Sequence, residues 1–411
     1  MKKPAPSINQ NKTDRFQEKR ERIIDAATKL INQHGVKGMT FVGVAEMVGL
    51  NTTSVTYYFK RKEQLAAAAF DRTITSIEAL VAQVRDEPTT RERVIEFIRA
   101  NFALRARIRR EEERPHARLA DMRALDDPFR EELFNRFFNL LRSVRHFFGD
   151  VHSDEEKAKR TARAHVLLDN MLWLPFWLKS YSIEDFDRVS EQLIGIFDKG
   201  IAPRGADWNP ELYPVDTHHT DQKQNGIPDQ FLRAATELIN DRGYRGASVE
   251  RISSELSVTK GSFYHHLQTK DDLVLECFRR SYHRLSQVQR TAINSNENHW
   301  QTLSSAIATL LNIQLFSDFP LLRSTAWQAL PDELRGHILV RSDRMAQRFA
   351  ALLIDGINKR EIRAIDPIIA SHAIMYMLNA AYELRDLAST LEDKKAVALY
   401  ASTLAFGILD D

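Results

Sequence analysis

Residues 258–273 read Val258-Thr259-Lys260-Gly261-Ser262-Phe263-Tyr264-His265-His266-Leu267-Gln268-Thr269-Lys270-Asp271-Asp272-Leu273. An earlier stretch reads Gly49-Leu50-Asn51-Thr52-Thr53-Ser54-Val55-Thr56-Tyr57-Tyr58-Phe59-Lys60-Arg61-Lys62-Glu63-Gln64-Leu65. An offset of 208 residues carries Lys62 onto Lys270 and Gly49 onto Ser257 with no gap. Upstream, Ala26-Ala27-Thr28, Leu30-Ile31-Asn32 and Gly35 recur as Ala234-Ala235-Thr236, Leu238-Ile239-Asn240 and Gly243. A repeat of this period means duplicated supersecondary units. Here the unit reads as a helix-turn-helix, so one chain carries two such heads.

The second copy is the cleaner one. Ser248 can cap a helix whose inward face is Val249, Ile252 and Leu256; Ser257-Val258 makes the turn, and Thr259 caps the next helix. Phe263 and Leu267 bury that helix, which leaves Lys260, Gly261, Ser262, Tyr264, His265 and His266 facing outward or flanking a groove. Lys270 follows at the next helix start, within reach of a phosphate. In the first copy Ile23, Ala27, Leu30 and Ile31 form a stripe at helical spacing. Thr40 caps a second stripe of Phe41, Val44, Ala45 and Val48, and Val55 and Phe59 form one face of a third helix beginning at Asn51.

These residues resemble the DNA-binding signature of the TetR/AcrR family of transcriptional regulators, which runs roughly as Gly-Val-Ser-x-Gly-Ser-Leu-Tyr-x-His-Phe-x-x-Lys-Glu-x-Leu. The likeness covers about 45 residues of each half. The first copy departs from it: Thr53 stands at the usual Gly, Thr56 at the usual Tyr and Tyr58 at the usual His. The resemblance implies an all-α fold of two TetR-like units, each a three-helix DNA-binding domain followed by a helical bundle that binds ligand and dimerises through its last two long helices. It implies phosphate contacts from Thr40 and Ser248, from Lys62 and Lys270, and from Tyr58 and His266. Base-edge candidates are Thr52, Thr53 and Tyr57 in the first head, and Lys260, Gly261 and His265 in the second. Lys suits guanine, and Thr offers a hydroxyl and a methyl. Ser54, Ser262 and Tyr264 complete the DNA-facing set. Ser54, Ser262 and Thr56 equally suit caps or surface positions on a helix that touches nothing.

Composition sets the wider frame. With 411 residues, 43% hydrophobic and 28% charged, the chain has the balance of a soluble globular protein with two to three domains. A net charge of +2 means that any basic surface is local. Cys277 is the only cysteine, which excludes an internal disulfide and fits a reducing cytoplasm. The longest apolar run, Met171 to Leu178, is far short of a membrane span. Residues 1–20 read as a disordered basic arm, 21–65 as the first head and 66–200 as the first bundle. Residues 201–226, with three prolines, two glycines and His218-His219, read as a linker; 227–273 form the second head and 274–411 the second bundle. Long helices are expected over 154–180 and 184–199 in the first half, and over 366–389 and 392–409 in the second.

Two unlike heads on one chain predict an intramolecular pseudo-dimer that reads a non-palindromic operator, since tethering raises the effective concentration of the second head. A dimer of tandem chains is the alternative assembly. Ala164-His165 aligns with Ser371-His372, and the bulky Met171, Leu172, Trp173, Phe176 and Trp177 face slimmer counterparts, which suits one bundle filling the other. A small apolar effector is expected, with Phe97, Phe102, Phe134, Phe137, Phe138 and His165 lining a pocket in the first half. Gln314, Trp327, Met345, Phe349, His372 and Tyr376 would line one in the second. No phosphate loop, HExxH or nucleophile elbow is present, so no enzyme, cofactor or metal is expected. The expected function is that of a repressor released by ligand. The alternative is a ligand-binding or protein-interaction scaffold in which one or both heads no longer bind DNA.

Overall fold

The protein is described from a computed structural model, which covers residues 8–215, 228–267, 269–324, 326, 330 and 332–409. Every regular element among the described residues is helical. The first repeat runs α1 (Ile8–Gly38), α2 (Phe41–Val48), α3 (Thr52–Tyr58), α4 (Lys62–Val84), α5 (Thr90–Arg109), α6 (Phe129–Arg145), α7 (Asp154–Trp177) and α8 (Phe186–Lys199). The second runs α9 (Asp229–Gly246), α10 (Val249–Glu255), α11 (Lys260–His266), α12 (Lys270–Ser295), α13 (His299–Phe316), α14 (Asp332–Asn358), α15 (Pro367–Ala380), α16 (Arg385–Ala388) and α17 (Asp393–Ala405). The chain divides into two compact units: residues 1–79 with 107–138, and residues 80–106 with 139–411. The first unit therefore holds the first head, while α7 and α8 of the first repeat pack in the same unit as the whole second repeat.

The duplication persists at the level of single hydrogen bonds. Thr40 caps α2 by accepting from the Gly43 amide at 3.1 Å, and Ser248 caps α10 by accepting from Arg251 at 3.3 Å. At the other end of α2 the Leu50 amide donates to Ala45 O (2.9 Å) and Gly49 to Glu46 O (3.3 Å). Val258 donates to Ser253 O (2.9 Å) and Ser257 to Ser254 O (3.1 Å) at the same place in α10. Both turns need a left-handed residue: Gly49 has φ +68° and Ser257 φ +55°. The side-chain amide of Asn32 clamps a crossing segment by donating to His116 O (2.8 Å) and accepting from Arg118 N (3.0 Å). Asn240 does the same to Leu321 O (3.0 Å) and Arg323 N (2.9 Å). Thr73 and Ser281 each accept a further amide of that segment, from Ala117 and Leu322, both at 2.8 Å.

Residues 8–20, expected to be a disordered arm, are instead the first turns of α1. Phe16 gives this extension its anchor: its ring lies 4.7 Å from that of Tyr58 and 6.1 Å from that of Tyr57, and Arg20 sits over the Phe59 ring at 5.1 Å. Of the expected linker, residues 201–215 are described, and the stretch 207–213 is bound to α13. The Glu211 and Tyr213 amides donate to Ser305 Oγ (3.0 Å) and Thr309 Oγ1 (3.1 Å), and Trp300 Nε1 donates to Asp207 O (3.1 Å). The rest of it, including His218-His219, lies outside the described residues. The single helix expected over 366–389 breaks into α15, a 3-10 turn at 381–384 and α16. At the break Tyr382 Oη donates to Asp241 (2.8 Å), and Glu383 accepts from Arg323 Nη2 (2.5 Å).

The last two long helices of the repeats, α7 with α8 and α15 with α17, pack on one another within the second unit. Where they end, the two main chains cross. The Ile201 amide donates to Leu404 O and Ala405 O, both at 3.0 Å, and the Ile408 amide donates to Phe197 O at 2.8 Å. An offset of 207 carries Ile201 onto Ile408 and Phe197 onto Leu404, so the two bonds are one contact made twice about a local two-fold. Gly200 (φ +67°) and Gly407 (φ +97°) occupy equivalent places at this crossing. A Cβ on Gly200 would lie 2.2 Å from Ala405 O, so only glycine fits. Arg363 braces the crossing by donating to Gly200 O (2.8 Å) and Gly195 O (2.5 Å).

Candidate nucleic-acid interface

In the first head α3 is set by Asn51, whose side chain caps it by accepting from the Ser54 amide at 2.7 Å. Val55 and Phe59 are buried and fix the inner face, leaving Thr52, Thr53 and Tyr57 exposed and Ser54 and Tyr58 half-buried. Tyr57 is 66% exposed although its ring meets Tyr58 edge-on at 5.4 Å and Phe16 lies beside both. Thr53 and Tyr57, one turn apart, share the outward face of this helix, and Thr52 is exposed at its start. Phe16, which no local signal marked, partly covers that face. Thr40 at the start of α2 is exposed; its oxygen is committed to the helix, which leaves its O–H to donate outward. Lys62 opens α4, half-buried.

In the second head Phe263 and Leu267 bury one side of α11. Lys260, Gly261 and Tyr264 are exposed on it, Tyr264 at 55% with its ring edge-on to Phe263. The side chains of Ser262, His265 and His266 lie outside the described residues. Lys260 is not idle: its ammonium lies 2.5 Å from Glu250 on α10, and that contact pulls the exposed Glu250 carboxyl down to about 2. Lys270 is also engaged. Its ammonium donates to Tyr244 O and sits 4.0 Å from the centre of the Tyr244 ring, while Thr269 and Asp272 form a reciprocal capping box at the start of α12. The exposed members of the predicted set among the described residues thus lie at helix starts and on the second short helix of each head. Sequence reading missed the partners Glu250 and Tyr244, which lie far from Lys260 and Lys270 along the chain.

A cavity of about 300 Å³ opens between α7, α14 and α15, within the second unit. His372 and Tyr376 line it, as does Trp173 from the first repeat, where separate pockets inside each half were expected. The other expected pocket residues are placed differently. Phe102 is buried against Trp177 and Phe186, with ring centres 6.4 and 6.2 Å away. Phe349 is fully buried in core, Phe137 is half-buried beside Phe138, and Trp327 lies outside the described residues. His165 is buried and bonded, its Nδ1 3.1 Å from Tyr400 Oη and its Nε2 3.4 Å from Glu383. Burial drives the Tyr400 and Tyr376 hydroxyls upward and lowers His372 from its ordinary value, so all three stay neutral near pH 7. Among the described residues there is no group of His, Cys, Asp and Glu that could hold a metal ion, and no helix long and apolar enough to cross a membrane.

The family described as bacterial regulatory proteins, tetR family, matches twice, at residues 23–69 and 231–277. The chain belongs to the TetR family. A second match, to the tetracyclin repressor-like C-terminal domain, covers residues 296–383. Both TetR-type heads thus fall on the two helix-turn-helix copies, and the chain is a tandem form with two TetR-like units. Among curated relatives, the TetC protein of transposon Tn10 from Escherichia coli is 27% identical over 88 residues, 21% of this chain and 44% of that protein. The HTH-type transcriptional activator FasR of Mycolicibacterium smegmatis is 32% identical over 78 residues, 19% of this chain and 36% of that protein. The chain therefore spans less than half the length of these two relatives. Among solved structures, apo AibR matches with a TM-score of 0.37 and 19% identity, over 43% of this chain and 96% of that one.

Proposed function

We propose that the protein is a DNA-binding transcriptional regulator that works as an intramolecular pseudo-dimer, a repressor released by a small apolar ligand. The observation that carries this reading is the reciprocal main-chain crossing at Ile201 and Ile408, with α7 and α8 packed on α15 and α17. Two-fold contacts of this kind join separate copies in a homodimer. Here one chain supplies both sides, so the surface that would recruit a second chain is occupied. The open faces of α3 and α11 carry different residues: Thr52, Thr53 and Tyr57 in one, Lys260, Gly261 and Tyr264 in the other. Unlike faces read unlike half-sites, which makes the operator non-palindromic, with half-sites about one helical turn apart or slightly more.

Selection of bound sequences from random duplex DNA tests this. The expected result is an asymmetric motif bound by a single chain, with affinity falling steeply as salt rises. A palindromic motif bound by two chains would overturn the pseudo-dimer. No enrichment at all would overturn DNA reading.

A further inference from the structure

The seam cavity has a chemistry of its own. Trp173 and Trp177 stand one turn apart on α7, and His372 and Tyr376 one turn apart on α15. Their rings form one parallel column: Trp173 to Tyr376 at 5.0 Å and 14°, Tyr376 to His372 at 6.1 Å and 15°, His372 to Trp177 at 5.7 Å and 14°. Neither repeat makes this column alone. All four rings line the cavity, together with Phe176. The charged groups there are Lys179 and Asp343, one of each sign; the remaining polar groups include the neutral Ser324, Ser342 and Ser371. His372, held neutral by burial, adds no charge.

We infer that this seam cavity is the effector site and that it takes a neutral, flat aromatic molecule. Its volume of about 300 Å³ lies at the small end of ligand pockets. The parallel rings offer a flat guest an offset stack at ordinary ring spacing. A charged guest gains little where Lys179 and Asp343 cancel. The cavity is also tied to the second head: the Ser324 amide in its wall donates to Asn379 Oδ1 (2.6 Å), and the neighbouring Arg323 amide donates to Asn240 Oδ1 on α9 (2.9 Å). A guest that displaces Ser324 therefore pulls on the clamp that holds α9. This last step rests on the regulator reading above; the binding itself does not.

The test uses the full chain and N-phenyl-1-naphthylamine, a neutral dye with a flat naphthalene ring whose emission rises in apolar surroundings. Saturable binding is expected. Gln347→Trp, at an exposed position lining the cavity, and Ala350→Leu, deeper within it, should each weaken dye binding at least tenfold with the unfolding midpoint unchanged. The anionic 8-anilinonaphthalene-1-sulfonate should bind at least tenfold more weakly than the neutral dye. Saturating neutral dye should weaken binding to the selected operator about fivefold or more in the wild type and not in Gln347→Trp, a coupling of ordinary allosteric size. Absence of saturable binding, equal binding by both variants, or preference for the anionic dye would overturn the site. Dye binding without any change in operator affinity would overturn the tie to α9. A protein that takes the dye as expected but selects no DNA would overturn the regulator reading and leave the site standing.

Discussion

Replacing Gly200 by alanine should break the crossing on which the pseudo-dimer rests. The new Cβ would sit 2.2 Å from Ala405 O and 2.5 Å from the carbonyl carbons of Ala405 and Phe406, all main chain. Those atoms are held by the amides of Ile201 and Ala202, so they cannot move without losing hydrogen bonds. The backbone at Gly200, φ +67° and ψ −168°, is a region other residues enter at about 1–3 kcal/mol. Overpacking adds about 1–3 kcal/mol, and the stiffer unfolded chain returns up to about 1. The expected loss is about 1–6 kcal/mol in urea unfolding. Gly205 provides the control: it has φ +78° but nothing within 4 Å of a Cβ, so Gly205→Ala carries only the dihedral cost of about 1 kcal/mol. Gly407 meets Asp198 O at 2.7 Å in the reciprocal position. Because both glycines serve one crossing, Gly200→Ala with Gly407→Ala should cost clearly less than the sum of the two. A Gly200→Ala loss no larger than that of Gly205→Ala, or strict additivity in the double variant, would refute the argument.

Three further outcomes follow from the heads. Ser257→Gly should stabilise the protein and Gly49→Ser destabilise it, each by about 0.5–1 kcal/mol in chemical denaturation, because the same left-handed turn is made once by each residue. Ser248→Asp keeps a good cap on α10 but sets a negative charge where a phosphate is expected; stability should stay within about 0.5 kcal/mol while DNA affinity in a filter or polarization assay falls at least about tenfold. Glu250→Gln frees Lys260 and should tighten binding to the second half-site. Since the Glu250 carboxyl is held at about 2, below its ordinary value, the pair is intact above pH 4.5 and is lost only as pH falls toward 2, so affinity measured from pH 5 to 8 should show no inflection from it.

How much of this was legible in the chain differs from residue to residue. The repeat, the all-helical class and the caps Thr40 and Ser248 were readable because each is set by neighbours within a turn: helical spacing buries Val55 and Phe59, and a hydroxyl reaches an amide three residues on. Asn32 and Asn240 were visible only as a repeated pair. Their clamps on residues 116–118 and 321–323 join points more than 80 residues apart, which no local period encodes. The helical extension over residues 8–20 was misread for a related reason. It is too polar to show a stripe, and its anchor, Phe16, finds Tyr57 and Tyr58 only in the folded head.

The sequence by itself determined that there are two heads and, within a residue, where their short helices begin and end. Tertiary structure alone decided what the meeting of the two repeats makes. The bulky aromatic residues of α7 read as filling for the other bundle, with no partner ring named. Only packing against α15 turned Trp173 and Trp177, with His372 and Tyr376, into one ring column beside a cavity shared by both repeats. Periodicity assigns a side chain to the inner face of a helix; which neighbour fills the opposite side depends on contacts between residues about 200 apart in the chain, and those exist only once the fold has closed.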